Sequence, residues 1–240
     1  SAASDVYKRQ MYGFIYEGTY KYEDFDKVGD TYTLKRNVPY FSSESNTQPG
    51  MPKYADLNGD GIIDDNDRTM IGNGMPKHTG GFTNNFEYKG FDLSIFFQWS
   101  YGNDVLNANR LFFENSNKTR DLNQYASYAD RWTPENPESN IPRATDSGSN
   151  KVFSTRIIED GSFLRLKTVS LGYTLPKQLT KKWKIDNARV FVAGQNLWTC
   201  TGYSGYDPEV SIREGALTPG LDFSAYPRAY SISFGINLGF

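Results

Sequence analysis

Residues 229–240 read AYSISFGINLGF, and their alternation decides what kind of fold this chain builds. Tyr230, Ile232, Phe234, Ile236, Leu238 and Phe240 take the even positions; Ser231, Ser233, Gly235, Asn237 and Gly239 take the odd ones. Successive side chains of a strand point to opposite faces, so the segment has one wholly apolar face and one small, polar face. A strand in a soluble sandwich carries Lys, Glu or Arg towards water, but no charge follows Arg228 here. An aromatic-ended apolar band backed by small uncharged groups suits a wall between lipid and a filled lumen.

The same alternation recurs upstream. In FDLSIFFQWSY (91–101), Phe91, Leu93, Ile95, Phe97, Trp99 and Tyr101 share one face, and Asp92, Ser94, Phe96, Gln98 and Ser100 the other. Before it, Phe82, Asn84, Phe86 and Tyr88 alternate with Thr83, Asn85 and Glu87, and Lys89-Gly90 closes a tight hairpin. Two further strands are expected over 162–175 (SFLRLKTVSLGYTL) and 188–199 (ARVFVAGQNLWT), with Val169, Leu171, Tyr173 and Leu175 as the apolar face of the first. MYGFIYEGTY, from Met11, is a weaker sixth candidate. The good strands run to roughly ten to thirteen residues, near what a tilted strand needs to cross a bilayer. Soluble sandwiches alternate too; inner faces free of charge and aromatic ends favour the membrane wall.

The connections give an independent test, because outer-membrane barrels have short turns inside and long loops outside. Counting back from an inward-running last strand, residues 200–227 form a long external link and 176–187 a short internal one. Residues 102–161 are then external and very long, Lys89-Gly90 internal and minimal, and 17–80 external and long. Long and short alternate throughout.

Composition agrees with strands: 17 Tyr, 16 Phe and 4 Trp make the chain 15% aromatic, with 22 Gly. A net charge of −2 over 240 residues gives no field that would draw nucleic acid. The single cysteine, Cys200, excludes an internal disulfide. No apolar run is long enough for a transmembrane helix, which says nothing against transmembrane strands. Residues 1–10, SAASDVYKRQ, are polar, match no pattern and are read as a non-native or disordered leader.

Residues 56–67, DLNGDGIIDDND, have the form of a calcium loop. Asp56, Asn58, Asp60, Asp64 and Asp67 stand at loop positions 1, 3, 5, 9 and 12, Gly61 at the sharp turn, and Ile62 offers a carbonyl at position 7. Flanking helices for a full EF-hand are not expected between TQPGMPK and IGNGMPKHTGG, and a dockerin would need a second loop. With Asp in place of Glu at position 12, a structural Ca2+ would be held weakly, with a Kd of about 10⁻⁴–10⁻³ M.

Most of the chain resembles the C-terminal part of SusC/RagA-type TonB-dependent outer-membrane transporters. The blocks are YADLNGDGIIDDNDRTMIGN (54–73), GGFTNNFEYKGFDLSIFFQWSYGNDVLN (80–107), RWTPENP (131–137) and IPR (141–143), then DGSFLRLKTVSLGYTLP (160–176), VFVAGQNLW (190–198), GYDPEV (205–210) and YPRAYSISFGINLGF (226–240). GMPK (50–53) departs from the GDIK-like form usual before the acidic loop. The resemblance implies an all-β fold: residues 11–240 as an antiparallel transmembrane β-barrel segment, about five or six of roughly twenty-two strands, with long extracellular loops. It places the protein in the outer membrane of a Gram-negative bacterium, importing oligosaccharides or peptides. The implied partners are a SusD-like surface lipoprotein, TonB acting through an N-terminal plug that this stretch lacks, outer-membrane lipid, and the barrel-assembly machinery, which would read the terminal strand ending in Phe240. Two open sheet edges are not tolerated in lipid, so the chain is expected to be a fragment of the transporter.

No catalytic constellation stands out, and no enzyme is expected. His78 is the only histidine, Glu159-Asp160 precedes a strand without a facing carboxylate, and Asn117-Lys-Thr is a glycosylation sequon by pattern only. Trp132, Tyr203, Tyr206 and Tyr226, in the external loops, are the candidates to stack on a substrate, although packing within the loops is the commoner use of such rings. Trp132 is expected to end a short helix over 122–132 before Pro134. The alternative reading is a secreted, calcium-stabilised β-sandwich that binds carbohydrate; solubility without detergent would distinguish it.

Overall fold

The computed structural model describes residues 10–115, 123–144, 152–209 and 220–240. They fold as two units: one from the described residues within Ser1–Gly74, Asp104–Glu159 and Ser211–Ala225, the other from those within Met75–Asn103, Asp160–Val210 and Tyr226–Phe240.

The second unit is a five-stranded meander, with strands β1 (His78–Tyr88), β2 (Phe91–Tyr101), β3 (Phe163–Thr174), β4 (Asn187–Thr201) and β5 (Ser231–Gly239). Each pairs antiparallel with its neighbours in chain order, which leaves β1 and β5 as the edges of this sheet. β1 and β2 meet through Lys89 and Gly90 at φ 47° and 87°, the two positive values a two-residue hairpin of this twist requires. The long connections, 102–162 and 202–230, leave one end of the sheet, and the short ones, 89–90 and 175–186, leave the other.

Register lines up one apolar face across all five strands. One row runs Phe86, Leu93, Leu171, Val192, Phe234, and the next Tyr88, Phe91, Tyr173, Val190, Ile236. Many of these side chains are exposed, Phe234 at 82%. A surface this apolar is far beyond what a water-facing sheet carries. Aromatic rings gather at both ends of the face: Tyr101, Trp198 and Tyr230 at one, Tyr88, Phe91 and Phe240 at the other.

Alternation in the first half of β3 escaped the sequence reading because of a bulge. Phe96 pairs with Thr168 and Phe97 with Leu166, so Lys167 is the extra residue, and the apolar set changes from Val169, Leu171 and Tyr173 to Leu164 and Leu166. On β4, Asn196 (φ 51°) and Leu197 fall opposite the same bulge.

The opposite face is small and polar, but the expectation that it carries no charge is corrected. Arg189 on β4 donates from Nε to Asp92 Oδ1 on β2 at 2.9 Å, reaching over the intervening strand. It can do so because residue 172 is glycine: a Cβ there would lie 2.3 Å from the Arg189 guanidinium and 2.5 Å from Asp92. This pair is neutralised within the sheet, and Glu87 and Arg165 also put charge on the same face.

The first unit is built of short strands around two small cores. Phe14, Tyr54 and Ile63 form one, with Phe41 and Tyr16 packed against it; Tyr20, Phe25 and Leu34 form the other. Here the sixth strand candidate is corrected. Gln10–Gly13 pairs with Thr69–Asn73, and Tyr16–Thr19 with Pro52–Tyr54, so this stretch belongs to the loop unit and not to the five-stranded sheet. Both pairings are bulged, at Met11/Tyr12 and at Tyr16/Gly18, which breaks the period the sequence would need to show. Asp104–Asn107 and Leu221–Asp222 make a short parallel pair with Leu106 opposite Leu221. Residues 1–9 of the polar opening lie outside the described residues, and Gln10 already pairs with Asn73.

Candidate functional site

The acidic loop hangs between strands Pro52–Tyr54 and Thr69–Asn73, with only a one-turn 3-10 helix, Asp65–Asp67, at its end; it has no flanking α-helices. Ile62 and Ile63 form a two-residue parallel strand with Tyr40 and Phe41, and Ile63, 1% exposed, plugs the loop into the core. Gly59 and Gly61 take φ of 77° and 84°, which carries the chain round its turns.

The loop's carboxylates point back at its own backbone. Asp56 accepts from the N–H groups of Gly59 at 2.7 Å and Gly61 at 2.8 Å. Asp60 accepts from Ile62 N–H at 2.8 Å and from the Asn58 amide at 3.0 Å, and Asp64 from Asn66 N–H at 2.8 Å. Asp67 is wholly buried and joins the loop's two ends, accepting from Leu57 and Asp64 N–H at 2.8 Å each and from Asn58 N–H at 3.3 Å. Burial alone would raise the Asp67 pKa; the N–H donors of Asp64, Leu57 and Asn58 outweigh it and hold the carboxyl below the usual range. Among the described residues, no three Asp, Glu, His or Cys side chains converge as metal ligands. Each carboxylate oxygen has a second lone pair, so an N–H bond does not by itself bar an ion.

Two concave spaces lie in the same unit. One, of about 550 Å3, has a floor of Phe14, Phe41 and Ile63 and a rim of Asp64, Asp65 and Arg68. Arg68 pairs with Asp65 at 3.1 Å and lies over the Phe14 ring. The other, of about 500 Å3, is lined by the rings of Tyr22, Tyr32 and Trp132 with Gln48 and Arg143. Aromatic walls with a few hydrogen-bonding groups are the chemistry of a small polar organic ligand site.

The four aromatic candidates separate into two kinds. Trp132 is 5% exposed, packed on Gly50 and covered by the Arg143 guanidinium at 5.6 Å. The helix expected to lead into it is a 3-10 turn, Ala126–Asp130, among the described residues; Leu122 lies outside them. The turn stops because the Asp130 carbonyl accepts from Asn136 Nδ2 and Ser139 Oγ instead of a continuing helix. Tyr203 is also buried, against Gly205. Both rings are packed, Trp132 leaving only an edge to the second cavity, whereas Tyr206 and Tyr226 are almost fully exposed, Tyr226 at 90%. The sequon at Asn117 lies outside the described residues.

The sequence reading missed an ion cluster at the long-loop end of β3. Arg165 Nη2 donates to Asp207 at 2.5 Å, Nη1 to Glu209 at 2.8 Å, and Nε to Thr199 Oγ1 at 3.0 Å. Arg228 pairs with Glu209 at 3.1 Å, and its N–H donates to Asp207 at 3.1 Å. Burial would raise the Asp207 pKa, but the Glu209 and Arg228 N–H groups and the Arg165 guanidinium together lower it. A lone Arg in a strand that otherwise alternates, with two carboxylates in GYDPEV, was the available signal. The cluster ties both ends of the 202–230 connection to the wall; Val210 lies outside the described residues.

No protein-family model matches this chain. TonB-dependent receptor P3 of Formosa agariphila is 35% identical over 237 residues, which are 96% of this chain and 22% of the relative. TonB-dependent receptor P26 of the same organism is 39% identical over 80% of this chain and 20% of its own length. TonB-dependent receptor SusC of Bacteroides thetaiotaomicron is 28% identical over 82% of this chain and 18% of its own length. The chain therefore spans about a fifth of the relatives it matches. Among solved structures, the RagAB peptide transporter superposes with a TM-score of 0.70 at 26% identity, covering 96% of this chain and 23% of that one. The relatives are named as receptors and transporters, not as enzymes.

Proposed function

This chain belongs to the TonB-dependent receptors of the SusC/RagA type, and from that premise we propose that it is the C-terminal part of the barrel wall of an outer-membrane transporter. The observation that carries the reading is the exposed apolar face shared by five antiparallel strands and rimmed by aromatics at both ends. In this reading the apolar face meets lipid, the small polar face meets the lumen, and the long connections lie outside the Gram-negative cell. The strand edges β1 and β5 pair with further strands of the full barrel, because lipid leaves no backbone group unpaired. Strand β5, with Phe234, Ile236 and Leu238 exposed on its apolar face, is what the barrel-assembly machinery would read.

The cargo is an oligosaccharide or a peptide, taken up with a SusD-like lipoprotein and released inwards by TonB. The RagAB peptide transporter, similar to this chain, supports the peptide class, and the relatives named TonB-dependent receptors support the part given to TonB. The oligosaccharide class and the lipoprotein rest on the family resemblance of the sequence. Nothing in the wall does covalent chemistry; its residues guide and bind. Tyr206 and Tyr226 offer exposed ring faces to cargo, and the two cavities of the first unit offer walls. The test is deletion of the full-length receptor gene, followed by growth on single glycans or peptides, and co-purification of the receptor with its lipoprotein. Unchanged growth on every nutrient tested would overturn the import reading.

For the acidic loop, the proposal is a structural Ca2+ held by Asp56, Asn58, Asp60, Ile62, Asp64 and Asp67. The spacing supports it, and the ion would replace part of the N–H network that now closes the loop. Millimolar Ca2+ should then protect the receptor's external loops from protease, and Asp56→Ala should abolish that protection. Equal cleavage with Ca2+ and with chelator would leave the loop a self-sufficient turn.

A further inference from the structure

We propose that the short connection between β3 and β4 is a docking surface for anionic phospholipid headgroups, with Trp183 seated in the headgroup layer. The proposal rests on the barrel-wall reading and extends it to this turn. Residues 175–186 read LPKQLTKKWKID, with four lysines and no acid before Asp186. Lys177, Lys181, Lys182 and Lys184 are all exposed, and among the described residues none of them makes an ion pair. A bare cationic turn of this density lacks its counter-ion.

The local fold decides what the turn presents. Lys177–Thr180 makes one helical turn and Lys181–Trp183 a 3-10 turn, which ends at Lys184 in the left-handed region at φ 60°. Thr180 is buried, and its carbonyl accepts from Ile185 N–H at 3.2 Å, so the turn is pinned from beneath. Leu179 and Trp183 are then turned out, Trp183 at 66% exposure. An exposed Trp among lysines on a short turn has no packing role.

Continuity with the apolar face selects the occupant. This turn leaves the same end of the sheet as Lys89-Gly90, where the Lys89 ammonium lies 5.1 Å from the Tyr88 ring centroid. Leu238 and Phe240, both exposed, carry the apolar face to that end. From mid-sheet outwards the surface therefore passes from aliphatic and phenyl groups through aromatic rings to ammonium groups. A leaflet presents its complement in the same order: acyl chains, the interfacial region, then phosphates. Indole prefers that interfacial depth, and lysine stems can lie on apolar surface with their heads among phosphates. An acidic protein partner would account for the lysines but not for the exposed Leu179 and Trp183 at the end of the sheet where the apolar face runs out.

The full-length receptor in nanodiscs tests this, with a minority of lipid brominated on the acyl chains of either phosphatidylglycerol or phosphatidylcholine. The Trp183 signal is the difference between the receptor and Trp183→Phe; the Trp198 signal, from Trp198→Phe, reports the apolar face itself. Brominated phosphatidylglycerol should quench Trp183 in excess of brominated phosphatidylcholine, with an enrichment of about fivefold, one lysine's worth at an anionic surface. The preference should fall towards unity in Lys181→Gln/Lys182→Gln/Lys184→Gln and at about 0.5 M salt, where screening is short-ranged. Equal quenching of Trp183 by the two lipids while Trp198 is quenched overturns the proposal and leaves the wall reading standing. A phosphatidylglycerol preference that survives the triple substitution also overturns it. So does an unquenched Trp183 with an acidic protein captured through the lysines, since the occupant is then protein. If Trp198 is not quenched by either lipid, the wall reading falls and takes the proposal with it.

Discussion

The two units spend the same kind of residue in opposite ways. In the loop unit Phe14, Tyr20, Phe25 and Tyr54 are buried, and rings touch edge to face, as Phe14 and Phe41 do at 5.6 Å. In the sheet unit Phe82, Phe86, Phe91, Phe234 and Phe240 are exposed, and among its described residues only Phe163, Ala188 and Tyr203 are buried hydrophobics. One unit has an inside made of side chains. The other is held by its ladder and by polar contacts, and its apolar groups await a solvent of their own kind. An aromatic residue in this chain therefore has no fixed meaning until its strand's period and partners are known.

Substitutions in the full-length receptor can break that contrast, and the largest effect belongs to a charge. Arg165→Met should cost about 3–5 kcal/mol, because it strands Asp207 in a buried site. Urea titration of the heat-modifiable folded band measures it, and a cost below about 1 kcal/mol would mean that the cluster is solvated. In the loop unit, Ile63→Ala should cost about 2–5 kcal/mol of local stability, read as protease sensitivity of the loops with the barrel band unchanged. Phe234→Arg sharpens the contrast most directly: it replaces an exposed residue, yet should cost about 2–4 kcal/mol in a bilayer if it sits near the midplane. The matched control, Tyr226→Arg, also replaces an exposed ring but should change stability by no more than about 0.5 kcal/mol. Equal effects at 234 and 226 would erase the distinction between the two surfaces.

The smallest expected effect is a pH dependence. Asp67 and Asp207 both have folded pKa values below their unfolded ones, so each contributes stability that is present above the ordinary carboxylate range. That contribution is lost as pH falls through the lowered folded values. Loop protection from protease should thus be flat from about pH 7 to pH 5 and decline below about pH 4. Asp67→Asn should remove the part of the decline that belongs to the acidic loop.

The wall was legible because period 2 is local: Phe91–Tyr101 was read to the residue, and the alternation of long and short links needed only counting. Reading failed where the partner was distant or the count slipped. Tyr16–Thr19 pairs with Pro52–Tyr54 more than thirty residues on, and no local pattern announces a bulged pairing of that span. Lys167 shifted the phase of β3 by one residue, which hid Leu164 and Leu166 from a period count. Trp132 and Tyr206 both looked like loop rings; Gly50, far away in sequence, and Arg143 decide that Trp132 is packed, whereas Tyr206 is exposed. In the acidic loop, the carboxylates' bonds to the loop's own N–H groups carry no sequence mark.

Gly172 lets Arg189 lie flat against β3, and Gly235 does the same for the Phe191 ring on β5, where a Cβ would come within 2.3 Å of it. Two of the bulkiest side chains on the polar face are thereby laid along the sheet instead of standing off it. A single added methyl group at either glycine would tip a guanidinium or a phenyl ring inwards. How far the polar face stands off the sheet is set at these points by the atoms the sequence leaves out.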